Sequence, residues 1–341
     1  MKQWGLLCLP LALCVSLSAC APPAEDVDLT IAVPRVIQDV VAGQEFPSNE
    51  ARAEMAERIA RWGFPVLRDN ENMLNYQRLE EFCADVAAGK DGSVTVFYYP
   101  WSYITAISLV AQDGELTCVY TQYTAAGVQG QDSLPIAEFT FTERGNLLFR
   151  FEETNYWVGF RVLPLSPQSR AYYRDYIEPV TVFTQGPLNV NWDTTNFSAL
   201  NWDWIFQRLW QVETGSAMVD PASPYYVRVE QGFDRAVLPA QLVEDILQKY
   251  FPVSRAELRR MDAYDAKINT YSFTGFNGGG YSPTLEVSKW QEHADGSLTL
   301  WIDHVALEYG QELAAQSILT VLPAGDGRCK YLSNQYQSFR S

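Results

Sequence analysis

The chain has 341 residues, with 25 Lys and Arg against 41 Asp and Glu, a formal net charge of −16. A surface this acidic repels a phosphate backbone and no Lys/Arg cluster offsets it, so no nucleic-acid partner is expected. Apolar residues make up 47%, enough for a packed core, and the aromatic share of 13% is high.

The N-terminus carries Lys2 and an apolar run from Leu6 to Leu17 that is too short to span a bilayer. It ends in small residues before a cysteine, Leu17-Ser18-Ala19-Cys20, which reads as a secretory signal. That ending resembles the lipobox of bacterial lipoproteins. The resemblance implies cleavage before Cys20 and acylation of its sulfur with palmitate-type chains. Each buried methylene of such chains contributes about 0.8 kcal/mol, so the anchor would be firm. The expected location is the outer side of the cell membrane. Ala21-Pro22 lacks an aspartate retention signal, so the outer membrane is the alternative in a Gram-negative cell.

The pattern predicts a signal peptide over 1–19 and a lipidated cysteine with a proline-rich acidic tether over 20–47. An α+β domain over 48–175, an aromatic connector over 176–224 and a second α+β domain over 225–341 complete the expected organisation.

In chain order, Ala51, Met55, Ile59 and Trp62 share a helical face, with Ser48 or Asn49 as cap and Gly63 as stop. Leu79, Phe82, Cys83 and Val86 line a second helix that Gly89 ends. Asp113-Gly114 predicts a two-residue hairpin turn that sets Ile107 opposite Tyr120 and Leu109 opposite Cys118. A hairpin centred on Arg144-Gly145-Asn146 would set Phe141 opposite Phe149 and Phe139 opposite Phe151.

An aromatic helix is expected over 198–212, with Trp202, Ile205, Phe206, Leu209 and Trp210. Another follows around Leu242, Ile246 and Leu247, and Ser254 with Glu257 forms a capping box for a helix over 256–264. Strands close the chain around Asp295-Gly296, at 317–322 and at 329–333, with a turn at Asp326-Gly327. The expected fold is α+β, with helices packed on curved antiparallel sheets in two similar halves. By element order alone these halves are cystatin-like or NTF2-like.

With Cys20 lipidated, Cys83, Cys118 and Cys329 remain, an odd number that argues against a disulfide framework. A single Cys83–Cys118 bridge is one reading, and three buried thiols are the favoured one.

The short signatures of common hydrolases, zinc enzymes and P-loop proteins are missing. His293 and His304 are the only two histidines, and with a turn at Asp295-Gly296 they lie roughly 20 Å apart, so they share no metal. Asp303-His304 would suit the orienting half of a triad, though a polar pair on a strand face is the simpler reading. Asn189, Asn191, Asp193 and Thr195 alternate like half a calcium loop. Thr194 stands at its glycine position and Leu200 at its glutamate position, so no metal is expected. Gly275 to Gly280 is a glycine-rich loop without a following helix.

The aromatic cluster is the strongest pointer to a ligand. Asn191-Trp192-Asp193 is nearly repeated as Asn201-Trp202-Asp203, with Trp204 and Trp210 nearby. Trp202 and Trp210 would face the core, leaving Trp192 and Trp204, with Asp193 and Asn201, as a candidate sugar site. Core packing of the whole cluster is the favoured reading. The complete chain resembles uncharacterised surface lipoproteins of Gram-positive bacteria, through the lipobox and the closing segments 317–321 and 330–334. The resemblance implies no activity and no cofactor. The expected function is non-catalytic binding of a ligand, such as a glycan, or of an envelope protein. A secreted glycan hydrolase with paired carboxylates is the alternative.

Overall fold

A computed structural model describes residues 27–41, 48–68, 72–99, 103–182, 186–229, 232–274, 284–325 and 328–339. Cys20, the loop 275–280 and the turn Asp326-Gly327 lie outside the described residues. No helix among the described residues is long and apolar enough to cross a membrane.

The chain forms two units, 1–68 with 73–134, and 69–72 with 135–341. In the first, helix α1 (Leu29–Val41) occupies ground expected for the tether. Val33, Val36, Ile37 and Val41 bury one face, and Asp28 accepts the Thr30 backbone N–H at 3.0 Å. Pro34 inside the helix and the prolines before it hide this pattern in the sequence. Helix α2 (Asn49–Ala60) is capped by Ser48, and α3 (Gln77–Ala87) buries Leu79, Phe82 and Cys83.

A meander follows: β1 (Gly92–Tyr98), β2 (Ile104–Gln112) and β3 (Glu115–Thr124). Leu109 pairs with Cys118, Ile107 with Tyr120 and Ala111 with Leu116, the register expected from Asp113-Gly114. Val33, Ile37, Met55, Ile59, Phe97 and Ile104 pack into one core.

Strand β4 (Gly127–Phe141) continues into the second unit, followed by β5 (Asn146–Phe151) and β6 (Trp157–Arg161). Here the register differs from expectation. Phe139 pairs with Phe149 and Phe141 with Leu147, a shift of two that keeps every side chain on its face. The Thr142 N–H bonds to the Asn146 carbonyl at 2.9 Å, so the turn is Glu143-Arg144-Gly145, with Gly145 at φ +81°. Phe151 is displaced again, opposite Ile136, by a bulge.

Next come α4 (Pro167–Tyr172), β7 (Trp192–Asp193), α5 (Trp202–Thr214), β8 (Tyr226–Val227) and β9 (Arg235–Pro239). Helix α6 (Ala240–Tyr250), α7 (Arg255–Leu258), β10 (Tyr264–Asp265) and β11 (Thr270–Thr274) lead to four long strands. These are β12 (Thr284–Glu292), β13 (Leu298–Ala306), β14 (Gln311–Pro323) and β15 (Cys329–Ser338). Ser254 caps α7 by accepting from the Glu257 backbone N–H at 3.1 Å, but the helix stops at Leu258 and Tyr264 is taken into β10.

One sheet runs β10-β11-β9-β8 and another β12-β13-β14-β15-β7, both antiparallel. The class is α+β, as expected. The stretch 176–224 does not stand apart as a connector. Ile177, Leu188, Trp192, Phe206 and Leu209 join Val243, Leu247, Leu300 and Leu319 in the core of the second unit.

Candidate functional site

Strands β12 to β15 alternate between two faces, interrupted by bulges at Val287/Lys289, His304/Ala306 and Thr320/Val321. Leu298, Leu300, Ile302, Ser317, Leu319 and Tyr331 point into the core, so their neighbours share the opposite face. Pairing aligns those neighbours into three rungs. The first holds Gln291, Thr299, Thr320, Ser333 and, on β7, Asp193. The second holds Lys289, Trp301, Ile318 and Gln335. The third holds Glu286, Asp303, Gln316 and Gln337. Lys289, Gln291, Gln335 and Gln337 are exposed, and Thr299, Trp301, Ile318 and Thr320 are partly so. This face therefore meets solvent over its first two rungs.

The first rung is linked by hydroxyls. The Thr299 Oγ1 lies 2.9 Å from the His293 Nε2 and 3.3 Å from the Thr320 Oγ1. On the second, the Lys289 ammonium sits 4.5 Å from the centre of the Trp301 ring, a cation–π contact.

The third rung is closed by the β4–β6 segment. Asp303 is 4% exposed, accepting from Arg144 at 3.0 Å and from Gln316 at 2.8 Å. Glu286, its cross-strand partner, accepts from Arg161 at 3.0 Å. Glu312 accepts from Asn146 Nδ2 at 2.7 Å and from the Thr142 hydroxyl. Burial pushes the Glu286 carboxyl above the usual range. Arg161 opposes this, and Asp303 reinforces it. These are paired carboxylates, but each oxygen pair is committed to a donor of the same fold. The arrangement ties the β4–β6 hairpins to the sheet.

The structure corrects the candidate sugar site. Trp192 is only 5% exposed. Its indole N–H donates to the Pro187 carbonyl at 2.8 Å and its ring stacks on Phe197, with Phe251 beside it. Asp193, one residue on, faces the opposite way and lies at the end of the first rung. Its carboxylate accepts from the Thr195 hydroxyl and from the backbone N–H groups of Thr195 and Asn196. These bonds hold its pKa below the usual carboxylate value. Asn201 caps α5 by accepting from the Trp204 N–H at 3.2 Å, and Trp204 is partly buried on that helix. Trp192 is thus closed to a ligand, and Asp193 and Asn201 spend side-chain oxygens on local backbone N–H groups.

The other candidates resolve similarly. The Asn191 amide oxygen accepts from the Tyr336 N–H at 2.7 Å, so it serves the sheet edge rather than a calcium loop. No group of three or more metal-ligating His, Cys, Asp or Glu occurs among the described residues. His293 pairs with Ser297 instead of residue 298, through a 2.8 Å backbone bond, because the turn takes three residues. That leaves His304 seven positions along the strand, about 23 Å away. His304 is buried against Ser317, and burial lowers its pKa to about 4. Cys83, Cys118 and Cys329 are free and buried, with no Cys83–Cys118 bridge, and burial raises each thiol to about 12.

Sequence reasoning missed Lys289, Trp301, Gln291 and Gln335. The signal present was the alternation in 298–303 and 316–321. The partners across strands lie too far apart in sequence to be aligned without the sheet.

A family model described as a family of unknown function, DUF6070, matches residues 30–339. No curated protein and no solved structure matches the chain.

Proposed function

We propose that this chain, which belongs to the DUF6070 family, is a non-catalytic binding protein tethered by lipid on the outer side of a bacterial membrane. Its ligand surface would be the open face of β12–β15 and β7. The observation that carries this reading is the two-rung array of Gln291, Thr299, Thr320, Lys289, Trp301 and Gln335 on one solvent-facing sheet. Hydroxyls and amides at strand spacing, about 4.8 Å, around an indole offer a saccharide both hydrogen bonds and a stacking face. The tether rests on Leu17-Ser18-Ala19-Cys20.

Two measurements test the two halves of the proposal. In cells fed an alkyne-tagged palmitate, the wild-type chain should carry the tag and sediment with membranes. Cys20→Ala should lose both. Membrane retention of Cys20→Ala without the tag would overturn the tether. For the surface, tryptophan fluorescence of the chain from Cys20 onward, in detergent, is titrated with soluble polysaccharides. A saturable change lost in Trp301→Leu, with the polysaccharide recovered uncut, supports a binder. Release of new reducing ends would instead favour the hydrolase. Failure of every saccharide, with an envelope protein cross-linked to the face, would replace the glycan by a protein partner.

A further inference from the structure

Resting on the binding face proposed above, we infer that its ligand is an acidic polysaccharide, its anionic group on Lys289 where that ammonium covers the Trp301 ring and its hydroxyls on the flanking Gln291, Thr299, Thr320 and Gln335. In a chain of net charge −16, the Lys289 ammonium has no carboxylate within salt-bridge distance among the described residues. It lies 4.5 Å over an indole instead.

The neighbouring charges leave room for an anion. On the next rung, Glu286 and Asp303 are answered by Arg161 and Arg144 at 3.0 Å each, so their field at Lys289 is largely cancelled. Asp193 stands at the far edge, four strand spacings or about 19 Å from β12. Beyond about 8 Å, physiological salt screens its repulsion. A carboxylate or phosphate arriving at Lys289 therefore gains a charge-assisted hydrogen bond.

The rest of the face suits a saccharide better than a nucleic-acid strand. Tracking a phosphodiester backbone needs a stripe of cations. Here one lysine is surrounded by Gln291, Thr299, Thr320 and Gln335, which match hydroxyls.

The test titrates the chain from Cys20 onward, in detergent, with polygalacturonate, neutral dextran and oligo-dT. The readouts are tryptophan fluorescence and retardation in affinity gels. Polygalacturonate should bind, and Lys289→Met, an exposed change that leaves the core intact, should weaken it about tenfold or more. Added salt should weaken the wild type and hardly affect Lys289→Met. Polygalacturonate binding equally to Lys289→Met would overturn the inference, as would preference for oligo-dT. Dextran binding lost in Trp301→Leu but untouched by Lys289→Met would keep the binding face and sink only its acidic ligand. No effect of Trp301→Leu on any binding would sink the face itself.

Discussion

The Nε2 of His304 lies 2.8 Å from the Oγ of Ser317, and the hydrogen in that contact belongs to the histidine. Ser317 has one hydroxyl hydrogen, and it is committed to the Leu188 carbonyl. A nucleophile needs the reverse arrangement, with serine donating to an acceptor imidazole. Asp303, the next residue, points to the other face of the strand and serves Arg144 and Gln316. The pair is a buried structural link between β13, β14 and the 186–190 segment.

That link makes stability pH-dependent in a defined direction. His304 has its folded pKa lowered from 6.5 to about 4. Between those values the unfolded chain binds the proton and the folded one does not, so stability contributed by neutral His304 is lost as pH falls. The window is worth on the order of 3 kcal/mol at full effect. Urea unfolding of His304→Gln at pH 7 and pH 4.5 should show a smaller acid loss than the wild type. An equal loss in both would disprove the assignment.

Glu286 should act in the opposite sense. Its folded pKa is raised, so its contribution increases as pH falls through that value toward the unfolded one. Arg161→Met removes its guanidinium partner and should cost about 3–5 kcal/mol near neutrality. The deficit should shrink on mild acidification, when Glu286 can take up a proton. A pH-independent deficit would show that packing, not charge, is what Arg161 supplies.

Trp192→Ala should behave as a core truncation. Its ring stacks on Phe197 and leans on Phe251, so a loss of about 3–5 kcal/mol is expected by thermal unfolding. A stable variant lacking only saccharide binding would return Trp192 to the candidate sugar surface.

Gly310 sits at φ +69°, and a Cβ there would meet the Trp157 indole at 2.7 Å. Gly310→Ala combines a left-handed backbone with a clash and should lower the melting temperature by several degrees. An unchanged melting temperature would mean that Trp157 moves aside freely.

The three thiols of the chain from Cys20→Ala onward should be silent toward a thiol reagent when native and should all titrate in denaturant. Only one reactive thiol in denaturant without reductant would indicate the Cys83–Cys118 bridge.

What the sequence determined by itself was local. The Asp113-Gly114 register, the Ser48 cap and the buried stripe of α5 follow from periods of two and 3.6 residues and from turn chemistry within a few positions. At Arg144-Gly145 that local reading was two residues out of register, because the Thr142–Asn146 backbone pair, not the glycine alone, sets the turn. Only the tertiary structure decided which face each aromatic took. Trp192 and Asp193 are adjacent in sequence, yet pairing with β15 sends one into the core and the other onto the open face. It also joined Arg161 to Glu286 and Arg144 to Asp303, partners 125 and 159 residues apart. No local pattern encodes such pairs, because the packing of the β4–β6 segment against the β12–β13 carboxylates, not sequence spacing, makes two distant charges necessary to each other.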